Sequence, residues 1–170
     1  MDKNISKEDK TIQKAVNRMI ANKIIQHCFY DGCMYSVKRD EKNVLDMIFM
    51  KIAHKKIDQY KAFVDYALEN CYDIPVKLTE FDKYSDSKVY SCLNSLKKDQ
   101  PVTYYVEKAV ELEDAMIAAE QDINESDKDY MIPYSFMSIV YRCQSDDNEC
   151  KEMLNSLADA YKAGADYMAF

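Results

Sequence analysis

The chain has 170 residues, a formal net charge of −7 and a pI near 4.9. This length suits one domain with a full apolar core, and the acidic balance gives no overall attraction to nucleic acid. No apolar run approaches the ~20 residues of a membrane span, so we expect a soluble, cytoplasmic protein. Only two glycines and three prolines leave few turn formers, which predicts an all-α protein of long helices.

The first half of the chain predicts two long helices that form a hairpin. Ser6 followed by Asp9 resembles a capping box and opens a helix that runs to about Lys38. The polar segment 39–43 predicts a turn, after which apolar residues at helical spacing predict a second helix to about Cys71. A turn this short makes the two helices antiparallel neighbours.

The second half of the chain predicts a second helical hairpin. A third helix begins near Pro101, a residue suited to the first helical turn, and is predicted to stop in the polar segment 124–129. A fourth helix starts between residues 130 and 133 and runs to Ala163, where Gly164 offers a C-cap. The second hairpin therefore mirrors the first.

A long connection, residues 72–100, separates the two hairpins. It can reach back along a helix of roughly 45 Å at ~3.3 Å per residue, which predicts parallel second and third helices. Two hairpins joined by one long crossover form the ferritin-like version of the antiparallel four-helix bundle. We therefore predict one such domain over 1–170, with a tail at 1–8, a short crossover helix within 86–97 and a C-terminal segment at 164–170.

Polar residues interrupt all four predicted apolar stripes near mid-length. They are Lys23 in the first helix, Lys55, Lys56 and Gln59 in the second, Glu113 in the third, and Gln144 and Asp147 in the fourth. An isolated buried charge costs several kcal/mol, so we expect the second-helix lysines to face Glu113 and Asp147. The pattern fits a salt-bridge network that fixes helix register, and it also fits a degenerate metal site.

The first two helices carry a resemblance to the ferritin family. Segment 16–30 resembles the family's first-helix pattern LN…E…Y, with Lys23 at the position of a bridging ligand glutamate and Tyr30 at that of a site tyrosine. Segment 55–59, KKIDQ, falls on the second-helix motif EExxH, so two carboxylates and a histidine are replaced. Lys56 and Gln59 stand at the ligand positions of that motif.

The last two helices extend the resemblance. Segment 111–113, ELE, resembles the family's third-helix ExE and keeps a ligand carboxylate at Glu113. Segment 143–147, CQSDD, resembles the fourth-helix EQxEE, with Gln144 retained and two shorter acids. Segment 163–167, AGADY, resembles the family's entry to a fifth helix, which would be truncated here to about one turn.

The resemblance implies a hollow homo-oligomeric cage, of 24 subunits rather than twelve, that binds or stores ferrous and ferric iron without haem. Its degenerate ferroxidase positions are Lys23, Lys56, Gln59, Glu113 and Gln144, with Tyr30 beside them. Ammonium groups in that volume repel metal ions, so we expect little ferroxidase activity. The candidates for residual metal contact are Glu113, Glu120, Asp146, Asp147 and Glu149.

Two further interpretations stay open. The long crossover and truncated C-terminus resemble the mini-ferritins, the DNA-binding proteins of starved cells. Multivalent display of a basic tail would then give salt-sensitive DNA binding through Lys3, Lys7, Lys10 and Lys14. Alternatively, the chain forms a structural bundle or cage with no role in iron handling.

The remaining metal-ligand and redox residues predict no further site. Six cysteines show neither a CxxC pair nor a cluster with histidine, and we expect reduced, mostly buried thiols. The two histidines, His27 and His54, stand alone, and a lone histidine is more often a structural group than a ligand.

Overall fold

A computed structural model describes residues 7–37, 44–130 and 132–164, with the backbone alone at 7–8 and 127–130. Within these ranges the chain is helical and contains no strand, which confirms the all-α prediction. The predicted turn at 39–43, Ser6 and the segment beyond Gly164 lie outside the described residues. The helices are α1 Lys7–Val37, α2 Leu45–Glu69, α3 Leu78–Tyr84, α4 Ser87–Asn94, α5 Val102–Tyr130 and α6 Tyr134–Lys162.

Helices α1, α2, α5 and α6 form the bundle. Lys23 contacts Glu120 whereas Tyr30, two turns later in α1, contacts Glu113, so α1 and α5 are antiparallel. Helix α1 also packs along α2, its antiparallel partner. Helices α2 and α5 are therefore parallel, as the length of the crossover predicted. None of the described helices is long and apolar enough to cross a membrane.

The predicted end of the third helix was wrong. Helix α5 continues through the polar segment 124–129 and ends at Tyr130. This segment contains neither glycine nor proline, so no residue in it breaks the helix. Ser126 Oγ donates to the carbonyl of Asp122 at 2.9 Å, which leaves the helix intact. The interruption comes instead at Pro133, immediately before α6.

The crossover contains two short helices where one was predicted. Helix α3 has only seven residues and none of them is fully buried. Helix α4 inserts Val89 into the core. Asp86, which precedes α4, accepts hydrogen bonds from Arg18 Nε and Nη2 at 2.6 Å, and its backbone N–H donates to Asn22 at 2.8 Å. These contacts fix the crossover against α1.

Two apolar clusters fill the core, one toward each end of the bundle. One contains Phe29, Phe49 and Leu112, and the other contains Met19, Phe63 and Phe136. The buried charged residues lie between the clusters. The buried charged residues among the polar interruptions therefore form a layer with an apolar cluster on each side.

Candidate functional site

Five fully buried charged residues form what we call the central layer. Every long helix contributes to it, and no member is more than 1% exposed. Each member occupies a core-facing position of its helix, because the residue four positions before it is a buried apolar residue. The members are Lys23 on α1, Lys56 on α2, Glu113 and Glu120 on α5, and Asp147 on α6.

Asp147 bridges the two ammonium groups. Its Oδ2 lies 2.7 Å from Lys23 Nζ, and its Oδ1 lies 2.5 Å from Lys56 Nζ. Each lysine also has a carboxyl group of its own, since Lys23 Nζ lies 3.2 Å from Glu120 Oε1 and Lys56 Nζ lies 3.0 Å from Glu113 Oε1. The two ammonium groups thus share the Asp147 carboxylate, and each of them also contacts one glutamate carboxyl group.

Glu113 receives two further hydrogen bonds from α1. The Tyr30 hydroxyl donates to Oε1 at 2.6 Å, and Gln26 Nε2 lies 3.3 Å from the same oxygen. Burial raises the pKa of Glu113, while Lys56 and the Tyr30 hydroxyl act in the opposite direction. Because an ammonium, a phenol and an amide all point at this carboxylate, it remains ionised in the layer.

The charges of the bridging groups are fixed by their mutual contacts. Burial alone would lower the pKa of Lys23 and Lys56, but Asp147 and the neighbouring carboxyl groups outweigh it and raise the pKa of both lysines. Burial likewise opposes ionisation of Asp147, yet the two ammonium groups hold its pKa well below the usual range. Both lysines and Asp147 are therefore charged at neutral pH.

Glu120 behaves differently from the other carboxyl groups. Burial raises its pKa to about 9, against the opposing attraction of Lys23, so the group is protonated at neutral pH. Its Oε2 has no donor among the described residues, which agrees with a protonated carboxyl that itself donates to Asp147. Two ammonium groups then balance Glu113 and Asp147, and the layer is neutral.

Two of the predicted site residues lie beside the layer rather than in it. Asp146 accepts a hydrogen bond from Gln59 Nε2 at 3.2 Å and pairs with Lys55 at 3.0 Å, near the surface between α2 and α6. Lys56 faces Glu113 and Asp147 as predicted, whereas the same prediction for Lys55 was wrong.

Gln144, also expected at the ferroxidase positions, lies apart from the layer. Its Oε1 accepts a hydrogen bond from Asn124 Nδ2 at 2.9 Å, at the contact of α5 and α6. Conversely, the pairing of Glu120 with Lys23 and the contact of Gln26 with Glu113 were not predicted. Glu120 stands seven residues after Glu113 on one helical face, and this spacing was the signal available in the sequence.

The histidines and cysteines add no ligands to the layer. His27 Nδ1 lies 2.8 Å from the carbonyl oxygen of Ala53 and so joins α1 to α2, while His54 is exposed. All six cysteines are free thiols, but Cys33 and Cys143 alone are fully buried, so the prediction of mostly buried thiols was wrong.

Comparison with known proteins identifies the fold. No family model matches the chain, and no curated protein matches its sequence. Its structure is similar to that of Dps from Thermosynechococcus elongatus, with a TM-score of 0.73 over 91% of this chain and 94% of that chain. The fold is ferritin-like. The two sequences share 11% identity, so the similarity concerns the fold alone.

Ferritin-like bundles build dinuclear iron centres from inward-facing carboxylates and histidines of all four helices. The motif resemblance places Lys23, Lys56 and Glu113 of the central layer at ligand positions of such a centre. The residues present do not fit such a centre. Lys23 Nζ lies between Glu120 and Asp147, and Lys56 Nζ lies between Glu113 and Asp147, where a metal ion would have to bind. Across the described part of the chain, no group of three or more His, Cys, Asp or Glu residues could hold a metal ion.

Proposed function

We propose that this ferritin-like chain is a cytoplasmic cage subunit that binds or stores iron and lacks ferroxidase activity at the centre of its bundle. The observation that carries the proposal is the pair of buried ammonium groups bridged by Asp147. The motif resemblance assigns the positions of these two lysines to ligands of a dinuclear centre. Iron is then cargo held elsewhere on the cage. Large exposed apolar side chains, among them Tyr35, Leu78 and Tyr134, support assembly with further subunits.

The two lysines block metal binding, because a ferrous ion has to displace their ammonium groups before it reaches the carboxylates. Removing one ammonium group leaves a buried carboxylate unpaired, and an incoming cation is repelled by the second ammonium group. Glu113 and Asp147, expected from the resemblance as metal contacts, are thus occupied by lysine. Asp146 and Glu149, which line the cleft between α2 and α6, are the acids of that set open to iron.

The test compares ferrous oxidation in air by the wild type and by the triple variant Lys23→Glu, Lys56→Glu, Gln59→His. We expect the wild type to oxidise iron at the rate of buffer alone and the triple variant to exceed it, because carboxylates and an imidazole replace the repelling cations. Lys55→Glu is the matched control, since Lys55 lies outside the layer. A well-folded triple variant that binds no more iron than the wild type contradicts the plugged-centre proposal.

Gel filtration after iron loading tests the storage part of the proposal. The expected result is iron that co-elutes with an assembly of 24 subunits, with light scattering to distinguish this number from twelve. Iron that elutes entirely apart from the protein rejects storage and favours a purely structural cage. Fast oxidation by the wild type would place the chemistry on acids outside the central layer.

A second candidate function is DNA association through the start of α1. Lys10 and Lys14 are both exposed and lie one helical turn apart, which gives each subunit a small basic patch that a cage would repeat. Lys3 lies outside the described residues, as does the side chain of Lys7. Deletion of residues 1–10 should abolish any DNA gel shift at low salt, and unchanged retardation would move DNA contacts elsewhere.

A further inference from the structure

The Asp147 carboxyl group is surrounded by three groups with complementary chemistry. Lys56 Nζ, an amine when deprotonated, lies 2.5 Å from Oδ1, and the Lys23 ammonium lies 2.7 Å from Oδ2. The protonated carboxyl of Glu120 donates a hydrogen bond to the same group. All four side chains are at least 99% buried, so neither bulk water nor buffer competes for these contacts.

We propose that Lys56 and Asp147 join in an intramolecular isopeptide bond, an amide between α2 and α6 that forms in the folded protein. The side chains around Asp147 provide every group that the reaction requires. Fixed contact between nucleophile and electrophile replaces a bimolecular encounter. The surrounding groups provide a base, an acid and a cation for the developing oxyanion, as set out below.

The first step is deprotonation of the nucleophile. Glu113 is the base, because its two oxygens lie 3.0 and 3.1 Å from Lys56 Nζ. Burial raises the pKa of Glu113, which favours its acceptance of the proton. The ion pair is the resting state, and the reaction passes through the minor population in which Lys56 is a neutral amine. We therefore expect the bond to form slowly after folding.

The amine nitrogen then attacks Cγ of Asp147. The new C–N bond puts negative charge on the carboxyl oxygens, and the Lys23 ammonium stabilises it at Oδ2. Glu120 donates its proton to the departing carboxyl oxygen, and one proton lost by the nitrogen reaches the same oxygen by way of Glu113, so that the oxygen leaves as water. The second proton lost by the nitrogen returns to Glu120. One ammonium and one carboxylate become one amide and one water, while Glu113, Glu120 and Lys23 return to their starting protonation states.

The geometry selects Lys56 over Lys23 as the nucleophile. The second partner of Lys56 is Glu113, an ionised carboxylate that accepts a proton, whereas the second partner of Lys23 is Glu120, which already carries one. Lys56 also lines the wall of a cleft of about 490 Å³ between α2 and α6, which gives the released water a way out. The surface pair Lys55 and Asp146 lacks such burial, so water competes for its contacts.

The experiment measures the intact mass of the purified wild-type protein after prolonged incubation at neutral pH. We expect a mass lower than that of the sequence by one water molecule, and a protease digest that contains one branched peptide carrying both Lys56 and Asp147. The variant Lys56→Arg keeps the charge but cannot form the amide, so it should show the full mass. Lys55→Arg is the matched control and should lose water as the wild type does.

Glu120→Gln provides a second test that does not depend on tolerance of an arginine in the core. The introduced glutamine has the shape and charge of the protonated glutamate but no acidic proton, so the folded variant should lose water at least tenfold more slowly. Full mass in the folded wild type overturns the proposal. So does a water loss that persists in Lys56→Arg, since a succinimide at an aspartate produces the same mass without the branched peptide.

Discussion

Replacing Glu120 by glutamine tests whether the central layer is neutral. Glutamine keeps the oxygen that accepts from Lys23 and supplies an N–H that donates to Asp147, as the protonated Glu120 does. It carries no charge at any pH. The variant therefore removes the titration of the group while it preserves the contacts, and any change in pH dependence reports on Glu120 alone.

The size of the effect follows from the two pKa values of Glu120. In the unfolded chain the group has its ordinary pKa of 4.5, whereas burial raises the pKa to about 9 in the folded protein. Between these values the folded state holds a proton that the unfolded state has lost, so the free energy of unfolding falls by about 1.4 kcal/mol per pH unit. At pH 7 the accumulated cost is about 3 kcal/mol relative to pH 4.5.

The assay is urea unfolding at intervals from pH 5 to 9. Glu120→Gln abolishes this proton uptake, so its free energy of unfolding should not fall with pH in this way. The difference between the variant and the wild type should therefore grow by about 1.4 kcal/mol per pH unit. The slope is the diagnostic quantity, because a constant offset from any lost covalent or packing contact leaves it unchanged.

Glu125→Gln is the matched control, since Glu125 is exposed on the same helix. Its curve should run parallel to that of the wild type over the same pH range. Parallel curves for Glu120→Gln as well would show that Glu120 is ionised in the folded protein. In that case the charge balance argued for the layer is wrong, and the layer carries a net negative charge.

Two further substitutions test the contacts that fix the bundle. Arg18→Ala removes the paired hydrogen bonds to Asp86, so we expect a loss of about 1–3 kcal/mol and faster amide hydrogen exchange in α4, and unchanged exchange there contradicts the assigned clamp. Lys23→Met leaves the central layer with one uncompensated buried negative charge and should cost about 3–5 kcal/mol in urea unfolding. Lys55→Met, at a half-exposed pair, should cost less than about 1 kcal/mol, and equal losses in the two variants would refute the burial argument.

The four long helices were predictable because apolar spacing recurs along the full length of each. The level of the central layer was predictable for the same reason, since charged residues break every stripe near mid-length. Rotation about the helix axis was harder to assign. Lys55 and Lys56 differ by ~100° around α2, and the buried series Ile52, Lys56, Gln59 and Phe63 alone decides which of them faces inward.

The errors in the site have the same physical origin. Gln144 follows Cys143, a buried residue of α6, and a motif match aligned it with the ligand positions although it lies one step around the helix. Glu120 was expected as a candidate metal contact rather than as the partner of Lys23, because the sequence does not show that α1 places Lys23 against it. Contacts between helices far apart in sequence decide both cases, and periodicity within one helix contains no information about them.

The central layer also explains how a ferritin-like bundle can keep carboxyl groups in its core without metal. Three buried carboxyl groups need compensation, which in dinuclear centres comes from exchangeable ions. Here Lys23 and Lys56 are attached to the chain, so the compensation is independent of ion concentration, and protonation of Glu120 completes it. Linkage then predicts that a chelator leaves the melting temperature of the wild type unchanged, whereas the triple variant with restored ligands should melt higher as divalent metal is added. A chelator-induced drop in the wild type would show that metal, rather than lysine, neutralises the layer.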